Sequence, residues 1–252
     1  MNTALKRDPR QQDQFVLATE HSIDWANNNR RTALLLGGLA LLLILVIVGG
    51  YSLYQHRTAE AQTAFGEAMQ VYQTPIVRPD QPLPPGMKAF NTAKERAEKA
   101  NALFTQAANQ YGMTEPGKNA LYFSGLTYME AGQNSQAEET LKKVASSFNG
   151  DAAALGKDAL AQLYAQTGRE GQAVTLYQEL AKGHATTVPP DLAQLQLADM
   201  YAAEGKTEQA RQIYAQIKDR DKGPKGKPGI AAQVASQKLN PQAPAGPAAG
   251  PR

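Results

Sequence analysis

The hydrophobic pattern along the chain changes character twice. Residues 1–29 are polar, with scattered apolar positions. Leu34–Val48 reads LLLGGLALLLILVIV and carries no charged or polar side chain. From Ser52 to Asp219, apolar residues recur every three or four positions, the period of an amphipathic helix. Past Asn240 the pattern dissolves into Ala, Pro and Gly.

The unbroken apolar stretch sets the organisation. With its flanks, Thr32–Tyr54, it is long enough to cross a bilayer, because about 20 residues at ~1.5 Å rise cover a ~30 Å hydrocarbon core. Its Leu, Ile and Val residues favour insertion by about 6 kcal/mol, at roughly −0.5 kcal/mol each. Arg30-Arg31 abuts the stretch and no face of it is polar, which does not fit a buried core helix. Lys6, Arg7, Arg10, Arg30 and Arg31 precede it, whereas Arg57 alone follows before Arg78. Such asymmetry keeps the N-terminus cytoplasmic and carries the C-terminal part across. A signal peptide cleaved near Val48-Gly49-Gly50 is the alternative, but the long leading region with Trp25 is unlike a signal n-region.

The predicted organisation is therefore a cytoplasmic segment 1–29, a transmembrane helix 30–54, an exported helical domain 55–219 and a flexible segment 220–252. An interfacial helix is expected over Gln11–Asn28, with Phe15, Val16, Ala18, Ile23 and Trp25 on its apolar face. Ser52–Gln73 contains no breaker, so the membrane helix is expected to run on into the domain. Five prolines in Thr74–Gly86 forbid a helix and read as an extended spacer. Helix resumes over Lys88–Tyr111, with Ala89, Phe90, Ala93, Ala97, Ala100, Phe104 and Ala107 on one side, and ends at Gly112 and Glu115-Pro116-Gly117. Three helical hairpins follow, then the break Lys222–Gly229, a short helix 230–239, and a tail that buries too little to fold.

The hairpins repeat one another. Gly125, Tyr128, Gly132, Ala137, Leu141 and Val144 form the first copy. Ala161, Tyr164, Gly168, Ala173, Tyr177 and Leu180 form the second, and Ala198, Tyr201, Gly205, Ala210, Tyr214 and Ile217 the third. The tyrosines recur after 36 and then 37 residues. A small first residue lets two helices approach. The tyrosine three places on lies on the same face. The glycine sits just past a helix end, where a left-handed residue costs least. The alanine again permits close contact, and the large residue four later plugs the joint to the next hairpin. Ala100, Phe104 and Ala107 form an incomplete upstream copy, whose first helix is supplied by Ser52–Gln73.

This spacing resembles the tetratricopeptide repeat over about Lys88–Asp219, although the family's tryptophan and terminal proline are missing. The resemblance implies an all-α fold: one transmembrane helix followed by a right-handed α-solenoid with a concave protein-binding surface. The lead QFVLATEHSIDWANNNRR, the single anchor and the repeats beside it also resemble the YfgM-type proteins, ancillary subunits of the bacterial SecYEG translocon. That resemblance implies a single-pass inner-membrane protein with its repeat domain in the periplasm. The implied partners are the translocon, a periplasmic chaperone or emerging polypeptides. A scaffold for another envelope assembly, in secretion, division or outer-membrane biogenesis, is the alternative.

Composition removes other classes. A formal net charge of +3 is too small to argue for nucleic acid. The chain has no cysteine, which excludes disulfides and thiol chemistry. His21, His56 and His184 lack metal-ligand spacing, and no phosphate-binding or nucleophile motif is present. The pair Glu138-Glu139 reads as a solvated helix face. No enzyme, cofactor, metal or small-molecule substrate is expected.

By family position, the partner-binding face comes from the first helix of each copy. Copy one offers Asn119, Tyr122, Leu126 and Met129; copy two, Leu155, Asp158 and Gln162; copy three, Leu192, Leu195 and Asp199. A clamp for a terminal carboxylate needs a Lys, Arg and Asn set, which is absent. The mixed face suits extended segments or the side of a partner helix. The competing expectation is that several of these residues are core, packed under the terminal helix.

Overall fold

In the computed structural model, residues 29–77, 86, 88–220 and 228–240 are described. The expected interfacial helix, most of the proline-rich spacer, the Lys222–Gly229 run as far as Lys227 and the tail past Asn240 lie outside them. The described chain is almost wholly helical: α1 (Arg30–Tyr72), α2 (Ala93–Tyr111), α3 (Glu115–Glu130), α4 (Asn134–Ala145), α5 (Gly150–Gln166), α6 (Glu170–Lys182), α7 (Pro190–Ala203), α8 (Thr207–Arg220) and α9 (Ile230–Leu239). It divides into two units, residues 1–56 and 57–252.

In the first unit, the large apolar residues of Leu34–Val48 are all between 52% and 76% exposed. Among the described residues nothing covers them. By length and composition this is a helix able to cross a membrane, and it is compatible with a single-pass anchor.

In the second unit, the repeat positions form the core. Ala137, Ala173 and Ala210 are buried, as are the plugs Leu141, Tyr177 and Tyr214 and the residues Val144, Leu180 and Ile217. A β-carbon added at Gly125 would stand 2.5 Å from Leu141 Cδ2, so the small residue there lets α3 and α4 approach closely. Each hairpin turn ends its first helix in the same way. Gly132, Gly168 and Gly205 take φ of +77°, +72° and +76°. The next residue then donates its backbone N–H to the repeat tyrosine's carbonyl: Gln133 to Tyr128, Arg169 to Tyr164 and Lys206 to Tyr201, each at 2.8 Å. This is the Schellman arrangement, which satisfies carbonyls that the helix end leaves open.

The upstream copy is completed by α1. Ala61 and Ala68 are buried, and Phe65 and Tyr72 pack on Phe104 at ring-centroid distances of 5.8 and 6.1 Å. One expectation is corrected here. Helix α2 starts at Ala93, not Lys88, because Thr92 caps it by accepting the Glu95 N–H at 3.1 Å. Ala89 and Phe90 therefore precede the helix, and Phe90 exchanges backbone hydrogen bonds with Pro75 and Val77 across a short parallel bridge. Inside the first joint, the Asn101 amide donates to Ser124 O at 2.9 Å and Thr127 Oγ1 at 3.0 Å. These bonds satisfy a polar group that would otherwise cost about 1–3 kcal/mol to bury.

Candidate functional site

The first helices of the hairpins, α3, α5 and α7, carry the expected face. Caps fix where two of them begin. Thr114 Oγ1 accepts the Gly117 N–H at 3.2 Å and starts α3, and Asn149 Oδ1 accepts the Asp151 N–H at 3.0 Å and starts α5. Pro190 opens α7, where its missing N–H is not needed.

The structure gathers part of the set. Tyr122, Leu126, Met129 and Leu155 are partly buried and pack on one core cluster, that of Leu160, Tyr177 and Leu180. Asp158 lies among them, half-buried, and accepts a hydrogen bond from Gln162 Nε2 at 2.8 Å. Burial pushes its carboxyl above the usual carboxylate range. Burial, and then the nearby Asp158 charge, raises the phenols of Tyr122 and Tyr177 above their ordinary value. Asn119 and Gln162 are exposed at the margin.

Copy three behaves differently. Leu192 is 44% exposed, but Leu195 is 5% exposed and packs with Ile217, Tyr214 and Ala235 under α9. Leu195 is core, because α9 covers the face that an exposed first helix would present. Asp199 is engaged within the chain: it accepts from the Tyr214 hydroxyl and, at 2.7 Å, from Lys238 Nζ. Its accepting capacity is turned toward α8 and α9.

Two groups outside the expected set border the clustered one. Tyr72, on α1, lies under the Arg96 guanidinium at 5.2 Å, and Arg96 pairs with Glu130 at 2.7 Å. Tyr201 accepts a hydrogen bond from Gln178 Nε2 at 3.0 Å. Neither was expected at the face. Tyr72 sits before the proline-rich spacer, where repeat register gives no guide, and Tyr201 was assigned only to the hairpin joint.

Glu138 is also corrected. It is not simply solvated, because its carboxylate accepts from Lys142 and Arg169, each at 2.7 Å, and from the Tyr164 hydroxyl at 3.2 Å. These bonds, Lys142 first and then Arg169, hold its carboxyl at about 2.

The clustered face offers apolar contact, the Tyr122 phenol and one carboxylate acceptor. Among the described residues no group of His, Cys, Asp or Glu is placed to hold a metal ion. No curated protein and no solved structure matches the chain. Residues 24–240, most of its length, match the family described as tetratricopeptide repeat-like domain, and the chain belongs to that family.

Proposed function

We propose that this chain is a non-catalytic, membrane-anchored interaction protein of the bacterial cell envelope. In this reading Leu34–Val48 crosses the inner membrane with the N-terminus in the cytoplasm, and the repeat domain works in the periplasm as an accessory to the SecYEG translocon and its chaperones. One observation carries the anchored part: a run of large apolar residues, none of them buried, in a chain that also holds a repeat domain of a protein-binding family. Leaving that surface in water would cost roughly 25 cal/mol per Å². The excess of Lys and Arg ahead of the run supports the orientation. The cluster of Tyr122, Leu126, Met129, Leu155 and Asp158, with Asn119 and Gln162 at its margin and Leu192 beyond, is the partner-binding face. Its apolar floor and single carboxylate suit a partly unfolded segment or a partner helix.

Photocrosslinking in membranes, with a photoreactive residue in place of Leu126 or Leu192, tests the partner. Adducts with SecY, a periplasmic folding factor or an emerging chain support the translocon reading. Adducts confined to a secretion, division or outer-membrane insertion machine would replace it with the scaffold reading. Protease added to spheroplasts tests the orientation: a C-terminal domain left intact would refute it.

A further inference from the structure

Consecutive helices of the repeat unit run antiparallel. Tyr72 meets Arg96 while Phe65 meets Phe104. Lys157 in the middle of α5 pairs with Glu179 toward the end of α6 at 2.8 Å, and Arg220 at the end of α8 pairs with Asp191 at the start of α7. Lys238, at the end of α9, pairs with Asp199 in the latter half of α7. The turns that join one hairpin to the next therefore gather at one end of the stack. Asp151 ties two of these turns together by accepting the Thr186 N–H at 2.6 Å.

That end is apolar at its tips. Met113, in the turn from α2 to α3, is 87% exposed. Phe148, in the turn from α4 to α5, is 110% exposed, and Ile230, at the first position of α9, is 83% exposed. The three short turns inside the hairpins, at the opposite end, carry Gln133, Arg169 and Lys206 instead. The last turns of α4, α6 and α8 bring Lys142, Lys143, Lys182, Lys218 and Arg220 to the apolar end, and of these Lys142, Lys143 and Arg220 pair with Glu138, Glu139 and Asp191. The acidic residues that open α3, α5 and α7 are engaged there: Glu115 with Lys118, Asp151 with Thr186, and Asp191 with Arg220. The chain also enters the unit at this end, at Arg57, nine residues past Val48. A bilayer holding Leu34–Val48 is thus within covalent reach.

We infer that the inter-hairpin end is a lipid-contacting edge, where Met113, Phe148 and Ile230 dip into the surface of the bilayer that the anchor crosses. This rests on the anchored reading above. Apolar tips flanked by lysines match an interface that is greasy just below charged headgroups, and such binding grows with apolar area and with anionic lipid. The tether removes most of the entropic cost of finding the surface, so three side chains suffice where a free domain would need more.

The chain has no cysteine, so one introduced thiol is unique. The full chain, reconstituted in phosphatidylethanolamine and phosphatidylglycerol vesicles, is labelled with an environment-sensitive dye at Met113→Cys, Phe148→Cys, Ile230→Cys or, as a control at the other end, Ser135→Cys. The first three should shift to the blue and be quenched at least about twofold by doxyl lipid, and Ser135→Cys should not. A chain that floats with the vesicles while all three probes stay water-like overturns the edge and leaves the anchor standing. Probes shielded from iodide but untouched by doxyl lipid also overturn it, since they would report a protein neighbour or a second copy. A chain that does not float removes the anchor and, with it, the edge. Phe148→Asp, at a position with no packing to lose, should abolish quenching at the other two sites without lowering the melting temperature.

Discussion

The Arg169 guanidinium lies over the Tyr164 ring, 4.3 Å from its centroid, and the same residue pairs with Glu138 of the preceding hairpin at 2.7 Å. In the next hairpin Lys206 takes the corresponding place over Tyr201, at 5.5 Å. The residue after the turn glycine thus folds back on the tyrosine whose carbonyl it also caps. In the second copy this joins one hairpin to the one before it.

Removing the acceptor should loosen that joint. Glu138→Gln should cost about 1 kcal/mol near neutral pH, a modest value because the carboxylate is partly exposed. The pH dependence has a definite sign. The folded carboxyl is held at about 2, below its unfolded value of roughly 4.3. Its contribution is therefore complete above the unfolded value and is lost as pH falls toward the folded one. Urea midpoints of the two proteins should differ most above pH ~5 and converge as acid approaches pH ~2.

Small residues at the joints should resist enlargement, and unequally. A β-carbon at Gly156 would meet backbone atoms, the Ala145 nitrogen at 2.5 Å, whereas Gly66 has nothing within 4 Å. Gly156→Ala should destabilise by about 1–3 kcal/mol, as overpacking does. Gly66→Ala should stabilise by roughly 0.5–1 kcal/mol, by removing a flexible residue from a helix interior. Chemical denaturation of both variants gives the comparison.

The turn glycines should tolerate asparagine better than alanine. At φ of +72° and +76°, Gly168→Ala and Gly205→Ala should each cost about 1–2 kcal/mol. Asparagine at the same positions should cost less, because it visits this region readily. Thermal melts of the four variants decide it.

Alkali should act through the buried phenols. Burial raises the phenols of Tyr177 and Tyr214, with the hydrogen bond to Asp199 adding for Tyr214. A raised value favours the neutral form in the folded state. The stability it represents is full below the unfolded value of about 10 and is lost as pH rises beyond it. Phenolate absorbance should thus lag for these two residues and appear together with unfolding.

Two leucines one helical turn apart should part company. Leu195→Ala should cost about 2–5 kcal/mol as a core truncation. Leu192→Ala should fall within about 0.5 kcal/mol of the parent. Equal effects would contradict their exposures of 5% and 44%.

These residues show what the sequence could and could not convey. Ala137, Tyr177 and Gly205 were legible because each repeat position accepts one kind of side chain for one geometric reason. The Arg169–Glu138 pair was not, because its partners stand 31 residues apart and no local spacing marks them. Phe90 looked helical by period, yet capping by Thr92 and pairing with Pro75 and Val77 outweighed the period. Leu195 shared the register of Leu192, and only the docking of α9 made it core. At the candidate face, Tyr122, Leu126, Met129 and Leu155 followed from register. The approach of Asp158 to Tyr122 and Tyr177 depends on how neighbouring hairpins pack, which register alone does not set.

Helix α9 has a consequence for how the protein may be cut or extended. Its buried Ala232 and Ala235, with the Lys238–Asp199 pair, seal the open side of the final hairpin. A stack of hairpins needs such a lid where it stops, or its last apolar wall meets water. The array therefore has a finished terminus here. A further hairpin grafted after α8 would first have to evict α9, and a product ending before Gly229 should turn sticky rather than merely shorter.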